Sequence, residues 1–208
     1  MQIAATHAAT HISVKQEEIL VIKRTDLFPI CAWHGLKAVE FADYIDLIQD
    51  KKCFIPRNLA ELDPAYKQVI PYLVFEYDKK YFLMQRQSTS SEQRLASKYS
   101  LGIGGHLRKE DIEGTGIFEW AQREFEEEVS YEGNLTIIPL GILNDDSNEV
   151  GKVHVGFVLL LKGDSSDISI KSELKSGSLV SLNECRARYD QLESWSQMVV
   201  DFLQLNKK

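Results

Sequence analysis

The chain has 208 residues, a length that suits one generous domain or one domain with an extension. Its hydrophobic fraction of 44% and charged fraction of 26% are those of an ordinary soluble globular protein. The formal net charge of -7 argues against broad binding to nucleic acid or membrane surfaces. It does not exclude a phosphorylated ligand, because a basic pocket or bound cations can reverse the local field.

Cysteine usage and the N-terminus both predict a cytoplasmic protein. Cys31, Cys53 and Cys185 are odd in number, far apart and without metal-ligand spacing, which favours buried, reduced thiols. The opening "MQIAATHAATHIS" lacks the basic and apolar regions of a signal peptide. The longest apolar run, "GFVLLL", is too short to cross a bilayer.

The first sixty residues predict a strand at 18–24, an amphipathic helix at 36–50 and a short strand at "CFIPR". The helix is predicted because apolar residues recur at helical spacing, and Pro56 stops the strand. We expect residues 1–60 to be an N-terminal extension packed on the same domain as residues 61–208.

The strongest β pattern lies at residues 68–87, where two apolar runs flank Asp78-Lys79-Lys80 and predict a hairpin. The aromatic residues of the hairpin favour core packing over base stacking. They are Tyr72, Phe75, Tyr77, Tyr81 and Phe82. After a polar loop, "YSLGIGG" predicts a glycine-rich strand whose end approaches another backbone or a ligand closely.

The second half of the chain predicts a helix at 117–129 and two strands, "LTIIPLGILN" and "KVHVGFVLLLKG", separated by an acidic loop at 145–151. "DISIK" is a candidate short strand, and residues 193–205 predict a C-terminal helix. This order lacks the strict alternation of a doubly wound fold, so we expect an α/β (α+β) fold with a mixed β-sheet between helices.

The helix at 117–129 carries three carboxylates on one face, because Glu124, Glu127 and Glu128 are spaced by three and four residues. A separate stripe, Phe118, Phe125 and Val129, is predicted to be buried. Like charges at this spacing repel, and they lie near the negative end of the helix dipole. A hard divalent cation would remove that conflict, and a solvated acidic face is the alternative.

Two glycines precede this helix and its loop. Gly104-Gly105 ends a strand, and glycine lets the backbone approach a ligand closely. A free carbonyl at Gly105 could complete a metal shell made of carboxylate oxygens. An ordinary β-turn is the alternative.

Gly105, Arg123, Glu124, Glu127 and Glu128 together resemble the Nudix box of the Nudix (MutT-like) hydrolases. That pattern reads G-x5-E-x7-R-E-U-x-E-E-x-G-U, where U is a bulky aliphatic residue. The wider sequence is also similar to a bacterial Nudix subfamily described as predicted phosphoesterases. The resemblance implies an α/β/α sandwich over about residues 66–208.

The loop between Gly105 and Arg123 is four residues longer than the box, so the first glutamate of the pattern has no clean equivalent. Asp111 and Glu113 are the candidates to replace it, and a third reading is that nothing does. Ser130 stands where the pattern has glycine.

The resemblance implies a metal-dependent hydrolase of a nucleoside diphosphate-linked or other diphosphate small molecule. Metal-activated water would attack phosphorus, because divalent cations neutralise the diphosphate and lower the pKa of a bound water. By resemblance, Glu124 and Glu128 are the principal ligands of Mg²⁺ or Mn²⁺, Glu127 is a ligand or base, and the Gly105 carbonyl is a fourth ligand. Glu127, Glu124 and Arg123 form the catalytic set, with Arg123 as the structural partner of an acid in the loop.

Residues outside the box complete the expected site. Basic groups that precede the glycine strand and two histidines are the candidate phosphate contacts. They are Arg86, Arg94, Lys98, His106 and His154. In the acidic loop, Asp146 and Glu149 are candidate general bases, and a solvated turn is the alternative. His154 should lie on the sheet face opposite the neighbouring valines.

Two other readings remain. A non-catalytic Nudix-like binding or regulatory module is favoured by the irregular loop but opposed by the three retained glutamates. An isopentenyl diphosphate isomerase-like enzyme would need a cysteine near the box, and none of the three adjoins it. We expect a phosphorylated small-molecule substrate, no membrane and no stable nucleic-acid binding, and a homodimer is left open.

Overall fold

The computed structural model describes residues 17–86, 98–112, 116–171 and 174–206. In chain order the first elements are β1 (Glu18–Lys23), α1 (Arg24–Leu27), β2 (Gly35–Lys37), α2 (Phe41–Lys51), β3 (Cys53–Pro56), α3 (Arg57–Ala60), β4 (Tyr66–Tyr77), β5 (Lys80–Arg86), β6 (Tyr99–Ser100) and β7 (Gly102–Gly104). The remaining elements are α4 (Lys109–Ile112), α5 (Ile117–Glu128), β8 (Val129–Tyr131), β9 (Leu135–Asn144), α6 (Glu149–Val153), β10 (His154–Gly163), β11 (Ile168–Ile170), β12 (Leu174–Ser181), α7 (Leu182–Ala187) and α8 (Ser194–Leu205).

Ten of the described strands form one sheet. Its mixed character confirms the sequence prediction. Its main path runs β12-β5-β4-β10-β9-β2, with β1, β3, β6 and β7 pairing off that path. β10 runs parallel to β4 and antiparallel to β9, which makes the sheet mixed. β8 and β11 form a separate two-stranded sheet.

Each sheet face buries its own hydrophobic cluster, because neighbouring residues of a strand point to opposite faces. On β10, Phe157 belongs to the first cluster and Val158 to the second. The first cluster is covered by α2 and α5, which contribute Phe41 and Trp120. The second is covered by α7 and α8. The predicted α/β/α sandwich is therefore confirmed.

The described part of residues 1–60 pairs with the rest of the chain. β1 is antiparallel to β4, and β2 is antiparallel to β9. The prediction of a helix at 36–50 is wrong at its beginning, since α2 starts only at Phe41. Leu36 pairs with Leu143 as part of β2, a tertiary partnership that helical spacing cannot reveal.

The predicted hairpin forms between β4 and β5. Its two central turn residues, Asp78 and Lys79, have φ of 47° and 60°, the left-handed region that matches the twist of a two-residue hairpin loop. The backbone N–H of Lys79 donates to Glu76 Oε1 at 2.8 Å. Phe75 and Phe82 are buried, in agreement with core packing.

Several elements differ from the sequence prediction. β12 and α7 were not predicted, and the acidic loop at 145–151 runs into the short helix α6. α5 ends at Glu128, and Val129 begins β8, so Ser130 adopts an extended conformation there and needs no left-handed turn.

The three cysteines are free, but only Cys185 is buried, whereas Cys31 is exposed and Cys53 is intermediate. The prediction of buried thiols is therefore correct for Cys185 and wrong for Cys31. Within the described residues, no helix has the length and apolar character that crossing a membrane requires.

Candidate active site

The acidic helix α5 packs on the first cluster through Trp120, Ala121 and Phe125. Phe118, predicted to be buried, is instead 37% exposed, because the buried face centres on Trp120 and leaves Phe118 at its edge against Phe41. The glutamates lie on the other side of the helix, as expected.

Glu124 lies against the backbone of Gly105, so that a Cβ added at Gly105 would collide with Glu124 Oε1. Burial, followed by the charges of Glu127 and Glu128, raises the pKa of Glu124 to about 7. Among the described residues, no hydrogen bond or ion pair reaches the Glu124 carboxylate. A partly buried carboxylate beside two others is costly unless a cation joins it.

Arg123 connects α5 to the preceding loop. Its Nη2 lies 3.2 Å from Asp111 Oδ1, and the same carboxylate accepts from Arg108 Nε at 2.7 Å. Burial alone would raise the pKa of Asp111, but the hydrogen bonds from Arg108 and the charge of Arg123 lower it overall. Asp111 is 9% exposed and occupies the position that the sequence left open. Glu113, the other candidate, lies outside the described residues.

The donor set has the chemistry of a site for a hard cation, since carboxylate oxygens and a backbone carbonyl are the ligands that Mg²⁺ prefers. In the described part of the chain, however, no three His, Cys, Asp or Glu side chains converge closely enough to hold a metal ion. The Glu127 side chain is 62% exposed and lies 3.7 Å from Arg123 Nε. A shared cation would therefore require Glu127 and Glu128 to rotate towards Glu124, a motion open to an exposed side chain such as Glu127.

A cavity of about 370 Å³ lies on the face of the sheet covered by α8. Its walls come from β4, β7, α6 and the beginning of α8. Four predicted site residues line it: Gly105, Lys98, His106 and His154. The α5 glutamates do not line it, and Gly105 is the residue that contacts both regions.

His106 and His154 form a hydrogen-bonded pair in this cavity. His106 Nε2 lies 2.8 Å from Gln68 Oε1 and 3.3 Å from His154 Nε2. His154 Nδ1 lies 2.7 Å from the carbonyl of Val150, so this nitrogen donates and Nε2 is left as an acceptor. Burial, with the charges of Arg57 and His154, lowers the pKa of His106 to about 3. His106 is therefore neutral near pH 7, which argues against an ionic contact between its ring and phosphate.

Neither candidate general base lines the cavity. Asp146 Oδ1 accepts from Arg24 Nη1 and from Lys67 Nζ, each at 2.8 Å. These hydrogen bonds, that of Arg24 first, hold the pKa of Asp146 well below its usual range. Glu149 is exposed and pairs with Lys152 at 2.6 Å. This geometry argues against Asp146 as a base, because its oxygens already stabilise two cations.

Of the predicted basic residues, the described structure places one at the site. Lys98 lines the cavity. Arg86 ends β5, but its side chain lies outside the described part of the structure, as does the whole of Arg94. Trp195 was missed as a site residue, because its spacing on α8 reads as one more apolar position facing the core.

No family model matches the chain. The chain is 35% identical over 204 residues to protein YmaB of Bacillus subtilis (strain 168), which covers 90% of this chain and 98% of that protein. The crystal structure of Tm1382, described as a candidate Nudix hydrolase, is 29% identical with a TM-score of 0.74 and the same coverage of 90% and 98%. The MutT protein of Methanosarcina mazei Go1 shares the fold at 20% identity, with a TM-score of 0.51 over 68% of this chain and 96% of that chain.

Proposed function

Since this chain belongs to the Nudix superfamily, we propose that it is a metal-dependent hydrolase that cleaves a phosphoanhydride bond in a small diphosphate compound. The observation that carries this proposal is the position of Glu124, which is held against Gly105 beside Glu127 and Glu128. If this acidic face served only to keep the protein soluble, burying one carboxylate beside two others would not stabilise the helix.

Glu124, Glu128 and Glu127 would hold Mg²⁺ or Mn²⁺, with the Gly105 carbonyl as a further oxygen donor. When bound, the cation would neutralise the diphosphate and make a bound water more acidic. Arg123, tied to Asp111, keeps α5 in place beside the glycine strand. Glu127, the most exposed of the three at its side chain, is the carboxylate best able to take the proton of the attacking water.

A non-catalytic binding module is the second candidate, favoured by the separation of the carboxylates in the described residues. The isomerase-like reading has less support, because no cysteine is among the described residues that line the cavity. A phosphorylated small-molecule ligand, a cytoplasmic location and a homodimer all stay predictions.

The test is turnover of a substrate panel with Mg²⁺ or Mn²⁺, read as released phosphate or nucleoside monophosphate. The panel comprises ADP-ribose, dinucleoside polyphosphates, sugar nucleotides, NADH, CoA and dNTPs. Glu124→Gln and Glu127→Gln should each lower kcat/KM by about 100-fold or more. Glu126→Gln is the matched control on the same helix, because Glu126 is exposed and bonded to Gln122 at 2.9 Å. The hydrolase fails if no member turns over or if Glu127→Gln leaves the rate unchanged, and specific binding without turnover would favour the module.

A further inference from the structure

We propose that Gln68 is a positioning residue, which acts through the ring of His106 to fix the backbone of Gly105 beside Glu124. This inference rests on the proposed function for the role of the Gly105 carbonyl, an oxygen donor to a divalent cation. The positioning itself is built into the protein before any cation binds.

Gly105 lies between two segments whose backbones are held by pairing. β7 ends at Gly104, which pairs with β4. The backbone is held again at Leu107, whose carbonyl accepts from the Leu20 N–H at 2.7 Å. In the described chain, no strand pairing includes Gly105 or His106. The position of the Gly105 backbone therefore depends on how the His106 side chain is held.

The His106 ring begins a chain of hydrogen bonds that ends at a backbone carbonyl. His154 Nδ1 lies 2.7 Å from the Val150 carbonyl, which can only accept, so Nδ1 carries the proton and His154 Nε2 is an acceptor. His106 Nε2 therefore donates, to Gln68 Oε1 at 2.8 Å and to His154 Nε2 at 3.3 Å. The two rings must hold opposite tautomers, with the proton on Nε2 of His106 and on Nδ1 of His154.

Gln68 is the most firmly held member of this chain. Its strand pairs there on both sides, with Val21 of β1 and with His154 of β10. Gln68 is fully buried, whereas His106 and His154 are half-buried. An ordered amide in the middle of the sheet can fix a ring that the loop alone would leave free to rotate.

Gln68 also carries a cost that fold stability does not explain. Within the described residues, its Nε2 is buried and has no hydrogen-bond partner. A buried donor without a partner destabilises a fold, and an apolar side chain of similar length would avoid that cost. A positioning role accounts for the amide, because its oxygen is what holds the His106 ring.

The loop is held from two sides at Gly105. A Cβ added there would collide with Glu124 Oε1 on α5. The His106 ring lies on the other face of the sheet, where it lines the cavity beside α8. A ring anchored on one face thus sets how closely the Gly105 backbone approaches the carboxylate on the other. Small displacements of a ligand weaken metal binding, so the anchor should matter for affinity.

The first test is NMR of the full chain in excess EDTA, so that no metal takes part. Long-range ¹H–¹⁵N spectra distinguish the ring tautomers, and we expect the proton on Nε2 of His106 and on Nδ1 of His154. Gln68→Met keeps the length of the side chain and removes its amide, and it should move the Gly105 amide resonance. The inference is overturned if wild-type His106 carries its proton on Nδ1, or if the Gly105 resonance does not move.

The second test is Mn²⁺ binding by calorimetry. Gln68→Met should weaken binding by about fivefold or more. Its Tm should stay within about 2 °C of the wild type or rise, because the substitution also removes the unpartnered donor. Unchanged Mn²⁺ binding overturns the inference. A fall in Tm of about 5 °C or more also overturns it, since Gln68 would then stabilise the fold rather than position the loop.

Gln197→Met is the matched control. Gln197 also donates its amide to a backbone carbonyl, that of Tyr189, at 2.8 Å. Its loss should leave the Gly105 resonance and Mn²⁺ binding unchanged. An equal effect of the two substitutions would show that any lost glutamine contact weakens the metal site, and the inference would be wrong.

Failure of this inference can be told apart from failure of the hydrolase proposal. If a substrate turns over and Glu124→Gln abolishes the reaction while Gln68→Met binds Mn²⁺ normally, the hydrolase stands and the positioning role is wrong. If nothing turns over but Mn²⁺ binding depends on Gln68, the positioning role stands and the hydrolase is wrong. If the wild type binds no Mn²⁺, the hydrolase is wrong, and the ring tautomers and the Gly105 resonance decide the inference.

If both proposals hold, the kinetics of Gln68→Met should follow from weaker metal binding. At limiting Mg²⁺ its kcat/KM should fall by about fivefold or more, and saturating Mg²⁺ should restore most of that loss. The KM for the substrate at saturating Mg²⁺ should change by less than about twofold. A loss that saturating Mg²⁺ does not restore would contradict a role through the metal site.

Discussion

The guanidinium of Arg123 on α5 lies 3.2 Å from the carboxylate of Asp111, six residues after Gly105. Because that spacing equals the spacing of the first acid in the Nudix box, the four extra residues fall between Asp111 and Arg123. The Asp111 carboxylate also accepts two hydrogen bonds from Arg108. One carboxylate therefore links the loop to the helix that carries the glutamates. The longer loop therefore keeps its link to α5.

Replacing Asp111 with Ala should lower the free energy of unfolding by about 1–2 kcal/mol, because two guanidinium groups lose their acceptor. Urea denaturation at pH 7 measures the change. Glu110→Ala is the control, since Glu110 is the exposed neighbouring acid in α4, and we expect a change within about 0.5 kcal/mol. Equal effects of the two substitutions would show that the Asp111 contacts do not stabilise the fold.

Magnesium should stabilise the protein through Glu124. At an Mg²⁺ concentration about 100 times its dissociation constant, we expect Tm to rise by about 5 °C or more. Glu124→Gln should reduce this rise to about 1 °C or less, whereas Glu126→Gln should keep it. Thermal unfolding with Mg²⁺ and with EDTA provides the comparison, and a full rise in Glu124→Gln would remove Glu124 from the metal site.

Asp146 should contribute stability that disappears in acid. Its pKa in the folded protein is held below the usual value of 3.8, so the folded state binds its proton less readily than the unfolded state does. The contribution is therefore present above about pH 3.8 and is lost as pH falls below that value. Asp146→Asn should cost about 1–2 kcal/mol at pH 7, and its difference from the wild type should shrink towards pH 2.

Denaturation by urea at a series of pH values measures this difference. Glu149→Gln is the control, because Glu149 lies in the same region but forms its ion pair with Lys152 at the exposed surface. A constant difference between Asp146→Asn and the wild type from pH 7 to pH 2 would contradict the assignment.

Lys79→Gly should stabilise the hairpin. Lys79 has φ of 60°, which glycine adopts without the steric cost of a Cβ, so we expect a gain of about 0.5–1 kcal/mol. Lys80→Gly, one residue later in β5, should lower stability because it adds backbone freedom within a strand. Chemical denaturation of both variants tests the pair, and a loss in Lys79→Gly would mean that its side chain stabilises the turn by another route.

Local patterns predicted well those elements whose signal lies within a few residues. The hairpin, the strand at Leu135–Asn144 and the acidic face of α5 follow from alternation, turn chemistry and helical spacing. Prediction failed where a distant partner decides the conformation. Residues Gly35–Lys37 are a strand because β9 is available to pair with them, and Phe118 is exposed because Trp120 takes the central buried position.

The sequence by itself determined the mixed fold, the three carboxylates on one helix face and the glycines before it, since each depends on residue type and short spacing. Only the tertiary structure decided which groups meet. Lys67 and Asp146 are 79 residues apart in the chain, and their ion pair removes Asp146 from the list of free bases. The position of Trp195 was also decided by the tertiary structure. Its spacing on the helix predicts a core position, but the packing of α8 against β4 places it beside a cavity. The reason is physical: spacing along the chain determines which face a side chain occupies, whereas its charge state and its partners depend on what the other elements bring within a few ångströms.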